Sequence, residues 1–379
     1  MGKKKLAIIG AALFQEPAIL KAKAMGLETH VFAWEAGDPG EKMADFFYPI
    51  SIREKEEILE KCREIGIDGI ISIASDLAMV TVNYVAENMG LTGNSTAATL
   101  ISTNKHEMRE AFDANGDPSP KSVVVDAGTD LDAVDIELPL IVKPTDRSGS
   151  RGVMIVEKAE DLKEAVDFAI NESFEKKAVV EEFAFGDEYS VEYISCRGKH
   201  YLLAVTEKTT SGAPWFIELS HIEPAPISEE RRENIRRVCD HALDTLMLYD
   251  GAGHIELKVD SNENIKIIEI GGRMGGGFIG SDLVELSTGY DYVGNVIGIA
   301  MGEEIPEPEI RNAGTAGIKF ITRKKDLLEY RERVKNDPDS IVREGRDGAE
   351  GGIDSIDLES LKDEPDNIKD RIAYYIYKL

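Results

Sequence analysis

His254-Ile-Glu-Leu-Lys-Val-Asp260 alternates polar and apolar residues, and after Ser-Asn-Glu-Asn at 261 to 264 the chain returns as Ile265-Lys-Ile-Ile-Glu-Ile-Gly271. Two such runs around a polar turn predict an antiparallel hairpin. With Asp260 opposite Ile265, counting back along both strands sets Glu256 against Glu269. Directly opposed side chains on a sheet lie about 4.5–5.5 Å apart, and like charges at that distance destabilise the pair. A divalent cation held by both carboxylates would remove the conflict, because hard cations take oxygen ligands. The alternative is a surface hairpin whose glutamates splay into water, with Lys258 softening the repulsion. The returning strand enters Gly-Gly-Arg-Met-Gly-Gly-Gly-Phe-Ile-Gly at 271 to 280, where six of ten residues are glycine and one is Arg273. Such a backbone can approach a ligand closely, beside a fixed positive charge.

Upstream, Pro139-Leu-Ile-Val-Lys-Pro144 ends an apolar strand in a lysine and leads into Thr145-Asp-Arg-Ser-Gly-Ser-Arg-Gly-Val153. Backbone N–H groups and hydroxyls of such a loop, with the Lys143 ammonium, form the outline of a phosphate cradle. It is not a Walker A loop, since the lysine precedes the glycines. Lys143 at the end of an apolar run must find an anion or bear the cost of desolvation. In Lys177-Ala-Val-Val-Glu-Glu-Phe-Ala-Phe-Gly-Asp-Glu188 an apolar strand runs into two glutamates, aromatic residues and a Gly turn. A purine needs a flat apolar slot with backbone donors and acceptors at its edge, and a carboxylate suits ribose hydroxyls; a crossover strand with solvated acids is the plainer reading.

The first 95 or so residues alternate strand and helix: strands at 5–10, 29–34 and 68–74, helices at 16–25 and 54–65. This pattern predicts a doubly wound parallel α/β domain. Gly10-Ala-Ala-Leu-Phe-Gln15 lacks the dinucleotide fingerprint, which argues against a nicotinamide-dependent oxidoreductase. From about Asn94 the pattern becomes α+β: a helix at 104–114, short strands and one helix to about 185, a hairpin at 188–207, and a long helix capped by Ser228. After the Pro-bearing connector at 303–308, two strands (315–322 and 372–377) flank a charged helix.

The chain has 379 residues, more than one core usually serves, and 44 basic against 71 acidic residues give a net charge of −27. That charge repels nucleic acid and anionic membranes, so any nucleotide site must concentrate positive charge locally. Three widely spaced cysteines without a CxxC pattern suit a reducing compartment. The apolar run after Lys3-Lys-Lys5 is too short for a signal peptide or a membrane span, so a cytoplasmic location is expected.

The order of these stretches resembles the ATP-grasp superfamily, and within it the single-module carboxylate–amine ligases akin to amino-acid ligases and carbamoyl-phosphate-synthase halves. The resemblance runs from residue 5 to about 305. Gln15 to Gly26, Asn104-Lys-His-Glu-Met-Arg109, Val142-Lys-Pro144, Ser148-Gly-Ser-Arg-Gly-Val153 and Val180-Glu-Glu-Phe183 carry its first half. Gly186-Asp-Glu-Tyr-Ser-Val191, His221-Ile-Glu-Pro-Ala225, His254-Ile-Glu256 and Ile268-Glu-Ile-Gly-Gly-Arg273 carry the rest. It implies an N-terminal α/β domain over residues 1–95, an ATP-grasp domain over 96–310 with a mobile lid at about 121–185, and a small C-terminal subdomain over 311–379.

Position by position, the resemblance implies that Lys105 and Lys143 hold the phosphates of ATP and that Ser148, Gly149, Ser150, Arg151 and Gly152 close over them. Glu181, Glu182, Phe183 and Ala184 would line adenine, with Glu188 on the ribose. Glu256 and Glu269 would bind Mg²⁺, with Mn²⁺ as the alternative ion. Arg273 and Lys143 would be the catalytic cations at the transferred phosphoryl group. Gly271 departs from the asparagine that the family often carries there as a further metal ligand, which leaves a second metal open. No Arg-Pro-His run follows Glu269, unlike the purine-biosynthetic carboxylases, and a single ATP module does not make a complete carbamoyl-phosphate synthase. The implied activity joins a small-molecule carboxylate to an amine through an acyl phosphate, releasing ADP and phosphate. A non-catalytic ATP-binding regulator or scaffold is the alternative, and a homodimer is allowed. His221 and His254 are candidates for the substrate side or for structural roles.

Overall fold

The computed structural model describes residues 2–213, 216–346, 352–365 and 368–379. The first sheet is parallel, in the order β3-β2-β1-β4, with β1 Lys5–Ile9, β2 Glu28–Phe32, β3 Phe46–Tyr48 and β4 Gly69–Ile71. Its residues alternate between two cores, as a strand covered on both faces requires. Leu6, Ile8 and Val31 pack on Ala18, Ile19 and Ala22, while Ala7, Ile9 and Phe32 pack on Ile58, Leu59 and Val82. The doubly wound half is thus the expected one, with the short β3 added. The first of these cores also takes in Tyr292, Val296 and Ile297 from the helix Tyr292–Ala300, so the N-terminal sheet is packed onto the following region rather than set apart.

A second sheet, in the order β5-β8-β6-β7, joins β5 Ser122–Val125, β6 Leu140–Pro144, β7 Met154–Val156 and β8 Ala178–Glu182. The helix Leu162–Glu172 covers one face through Ala165, Val166 and Ala169.

The largest sheet is antiparallel. Its strands are β9 Asp187–Cys196, β10 Lys199–Thr210, β11 Glu218–Glu223, β12 Gly251–Val259, β13 Ile265–Gly271, β14 Ala316–Ile321, β15 Ile341–Arg346 and β16 Ala373–Lys378, in the order β13-β12-β9-β10-β11-β14-β16-β15. The strands of the 311–379 segment therefore extend this sheet, joined to it where β11 pairs with β14. On one face Tyr189, Val191, Tyr193, Ile255 and Leu257 bury against Ile235, Cys239, Ala242 and Leu243 of the helix Glu229–Thr245. Ser228 caps that helix by accepting from the Arg231 N–H at 3.1 Å, as its sequence indicated. The period of two then sends Glu188, Ser190, Glu192, His254, Glu256 and Lys258 to the opposite face. That polar face looks toward the second sheet, and the cleft between them is the site.

Candidate functional site

Glu256 and Glu269 do face each other across β12 and β13. The register is reached differently from the expectation, because Val259 and not Asp260 pairs with Ile265, and a bulge between Glu256 and Leu257 restores the offset. The extra residue opposite that step is Ile268. Backbone groups around the bulge bond elsewhere: the Ile267 N–H donates to the Pro118 carbonyl at 2.8 Å, and Arg109 Nη2 donates to the Ile268 carbonyl at 2.7 Å.

The two carboxylates do not rely on a cation from solution to coexist. Lys208 Nζ lies 3.1 Å from Glu256, and Lys105 Nζ lies 3.2 Å from Glu269. Burial disfavours the charged Glu256, but Lys208 and His254 outweigh it and hold the carboxyl well below its ordinary range. His254 bridges onward, with Nε2 3.3 Å from Glu256 and Nδ1 2.5 Å from the fully buried Glu192. Glu192 also accepts from the Gly275 N–H at 3.1 Å, which docks the glycine-rich loop on this face. Burial lowers the His254 pKa, but the Glu192 carboxylate and the hydrogen bonds to Glu192 and Glu256 together raise it on balance.

Lys105 and Lys143 come together from separate elements. Asn104 caps the helix Lys105–Asn115 by accepting from the His106 and Glu107 N–H groups. The Lys105 N–H donates to the Thr145 carbonyl at 2.8 Å, tying the helix start to the end of β6, and its ammonium donates to the Arg147 carbonyl at 2.7 Å. Lys143 finds its anion inside the protein: Glu181 on the neighbouring β8, at 2.7 Å. Arg109 Nε completes the cluster 2.9 Å from Glu181. Burial pulls the Lys143 ammonium pKa down, while Arg109 and Lys143 overcome burial to hold Glu181 below its ordinary value.

Glu181 lines the cavity in this cleft, as expected, but its carboxylate is 0% exposed and engaged by Lys143 and Arg109. Phe183 and Phe216, with ring centroids 6.5 Å apart, line the other end of this cavity of about 200 Å³ with Ile141, Glu182 and Ala184. The Glu182 carboxylate is held by Lys266 at 2.5 Å and its N–H by the Lys121 carbonyl, so it frames the slot rather than pointing a free acid into it. Glu188 lies 3.2 Å from Lys208 at the rim. Ser148, Gly149 and Ser150 line the same cavity.

Two residues of the expected loop lie outside this cavity. Arg151 lines a neighbouring hollow of about 290 Å³ with Asp76, Leu100 and Phe174, and its Nε donates to the Ser148 carbonyl at 3.2 Å. Gly152 packs against Pro144 and Glu172, behind the loop. Arg273 does line the cavity, but its guanidinium is engaged by Asp76, at 2.8 and 2.9 Å.

Asp76, Lys208, Glu192, Arg109, Glu218 and Arg371 carry site electrostatics that sequence reading did not assign. Parity along β10 could have found Lys208, since it shares a face with Thr206 and pairs with His221. Glu218 accepts from Arg371 at 3.0 Å and lies 3.5 Å from Lys208, with its pKa down at about 2: burial opposes ionisation but Lys208, His221 and Arg371 prevail. Arg371 brings the C-terminal segment to the site and stacks 3.7 Å over Phe320. His221, fully buried, is driven down to about 4 by desolvation, with both ring nitrogens lacking a hydrogen-bond partner among the described residues.

Among the described residues no group of three or more His, Cys, Asp or Glu side chains is arranged to hold a metal by itself. Two opposed carboxylates are what Mg²⁺ takes when substrate phosphates supply its other ligands. The donor set fits an ion whose remaining ligands come from nucleotide phosphates. Among the described residues no helix is long and apolar enough to cross a membrane.

A cleft between two antiparallel sheets, with lysines at one end and an aromatic slot at the other, defines a nucleotide-binding α/β protein. A family model described as an ATP-grasp domain matches residues 136–282, which span both walls of that cleft, so this part of the chain is similar to ATP-grasp domains. It is 29% identical over 269 residues to an alanine–anticapsin ligase of Bacillus subtilis (strain 168), a match that covers 62% of this chain and 57% of that one. The chain thus spans just over half the length of the curated relatives it matches. Its fold is similar to that of an L-amino acid ligase from Bacillus licheniformis (TM-score 0.81, 24% identity, 100% of this chain and 93% of that one). It is similar also to an N5-carboxyaminoimidazole ribonucleotide synthetase solved as its ADP complex (TM-score 0.78, 18% identity, 100% and 93%).

Proposed function

We propose that the protein joins a carboxylic acid to an amine at the cost of one ATP, and that both substrates are small molecules of the amino-acid class. The observation that carries the reading is the convergence of Lys105, Lys143 and Arg273 with the opposed Glu256 and Glu269 at one end of a cleft whose other end is aromatic. A substrate carboxylate oxygen attacks the γ-phosphorus as the bond to ADP breaks. The amine, entering as the free base, then attacks the acyl carbon; phosphate leaves, an amide forms and one proton is released.

Phosphoryl transfer asks for positioning and charge neutralisation more than for a protein nucleophile. Lys105 and Lys143 supply fixed charge at the phosphate end, and Arg273 faces the same space. Glu256 and Glu269 would hold Mg²⁺, or Mn²⁺ in its place, which would neutralise phosphate charge when bound. Ser148 to Ser150 would exclude water from the acyl phosphate. The names of the relatives favour amino acids as acid and amine. The free, buried Cys62, Cys196 and Cys239 are in keeping with a reducing, cytoplasmic setting.

The test is ADP release with Mg²⁺-ATP and pairs of amino acids, with mass detection of the amide. ADP formation that needs both an acid and an amine is expected; ADP formed at one rate with or without them would overturn the reading. Glu269→Gln should lower turnover about 10²-fold or more and remove the extra thermal stability that Mg²⁺ adds to the ATP complex. Without metal the same change should cost about 1 kcal/mol, because Lys105 loses a charged partner.

A further inference from the structure

We propose that Asp76 is a positioning residue that anchors Arg273 at the phosphate end of the cleft, and that position 271 is bare because this pair fills the space a side chain would need. Arg273 Nε and Nη2 donate to the two Asp76 carboxylate oxygens at 2.8 and 2.9 Å, a two-point fork that fixes the guanidinium plane. The side chains are 11% and 14% exposed. Asp76 opens the helix Asp76–Met89, where Ser75 caps the N-terminus and a carboxylate is favoured by the helix dipole. The pair thus ties the N-terminal sheet's first helix beyond β4 to the loop after β13.

Gly271 records the same geometry independently. A Cβ placed there would lie 2.6 Å from Asp76 Oδ1 and 3.1 Å from Arg273 Nε. Any side chain at 271 must displace the fork. The reason to keep it lies in the rest of the charge set, since Glu256 and Glu269 also act on Arg273. A guanidinium released from Asp76 would move toward those carboxylates and neutralise the pair proposed to meet the metal. With Nε and Nη2 occupied by Asp76, Nη1, 3.4 Å from the Met274 carbonyl, is the arm with capacity for an anion.

The role given to Arg273 rests on the ligase reading; the pairing and its effect on Gly271 do not. Two measurements keep these apart. In the first, thermal stability is compared for Gly271→Ala, Asp76→Ala and the double variant. We expect Gly271→Ala to lower the melting temperature, and most of that loss to disappear when Asp76 is already alanine; additive losses would overturn the geometry. In the second, ¹⁵N spectra of arginine side chains identify the Arg273 Nε–H by its absence in Arg273→Lys. That signal should move in Asp76→Asn and be restored in Asp76→Glu; an unmoved signal would overturn the anchor. With an active substrate pair in hand, Asp76→Asn should lower kcat about 10²-fold while the KM for ATP changes little. An unchanged kcat would remove the positioning role. If no pair turns over, the ligase reading falls, and the cycle and the spectra still decide the anchor.

Discussion

Glu181 and Glu223 are both 0% exposed, and the protein treats them in opposite ways. Glu181, on the second sheet, sits between Lys143 at 2.7 Å and Arg109 at 2.9 Å and is held ionised. Glu223, on the polar face of the large sheet, receives only hydroxyls, from Thr206 at 2.5 Å and Ser287 at 2.7 Å. Desolvation raises it to about 8, and neither hydroxyl reverses that. Burial costs a carboxylate its hydration in both places, so the partners decide the charge state. At the proposed phosphate end, cations on both sides of Glu181 keep it ionised in a fixed array of charge. Behind it, a carboxyl kept neutral acts as a hydrogen-bonding group near Glu192, whose charge adds to the upward shift.

The largest expected effect comes from breaking the first arrangement. Lys143→Ala leaves Glu181 buried with Arg109 alone. Removing one partner of a buried ion pair costs about 3–5 kcal/mol, and the surviving Arg109 should hold the loss at or below the lower end of that range. Turnover should fall about 10²-fold or more. In urea titrations the double variant Lys143→Ala/Glu181→Gln should recover part of the lost stability. A double variant no more stable than the single one would show that Glu181 is not the group left exposed to the penalty.

The second arrangement is broken by Glu223→Gln, with a smaller and pH-dependent effect. The unfolded carboxyl ionises near its ordinary 4.5 and the folded one near about 8. Between these values the folded state holds the extra proton, so stability falls as pH rises through this window. Glutamine has no proton to lose and should flatten that slope. Relative to wild type it should therefore gain stability steadily from pH 5 to pH 8.5, read from denaturant midpoints. A constant difference across that range would mean that Glu223 is ionised throughout.

These contrasts also explain what was legible in the sequence. The parallel N-terminal half is legible because β1 is a continuous apolar run and strands alternate with helices, while the three-residue β3 leaves too short a signal. Glu256 and Glu269 were found by parity on two adjacent strands, even though the bulge at Ile268 shifted the turn end by one residue. Lys143 was marked by a charge at the end of an apolar run. The partners were not legible, since they come from elements distant in the chain: Asp76 is 197 residues from Arg273, and Arg109 is 72 from Glu181. The same limit moved Arg151 out of the cavity, since a loop's sequence does not say which of its side chains turns inward. In the 311–379 segment the sequence shows β14 and β16 but not β15, and the pairing of β11 with β14 that joins them to the large sheet leaves no local signal.

The smallest effect sharpens the contrast most, because it alters one donor and leaves the carboxyl in place. Ser287→Ala removes the hydroxyl that donates to Glu223 Oε1 at 2.7 Å, while Thr206 keeps the other oxygen. Below the carboxyl's pKa the lost bond joins neutral partners and should cost about 1 kcal/mol; above it the acceptor is charged and the cost should approach about 1.5–3 kcal/mol. The hydroxyl favours the ionised form, so without it the carboxyl titrates at still higher pH. Denaturant midpoints of wild type and Ser287→Ala at pH 6 and pH 8.5 separate the two regimes. The gap should be wider at pH 8.5. An equal gap at both values would mean that the charge on Glu223 does not change between them, and the opposition between Glu181 and Glu223 would fall with it.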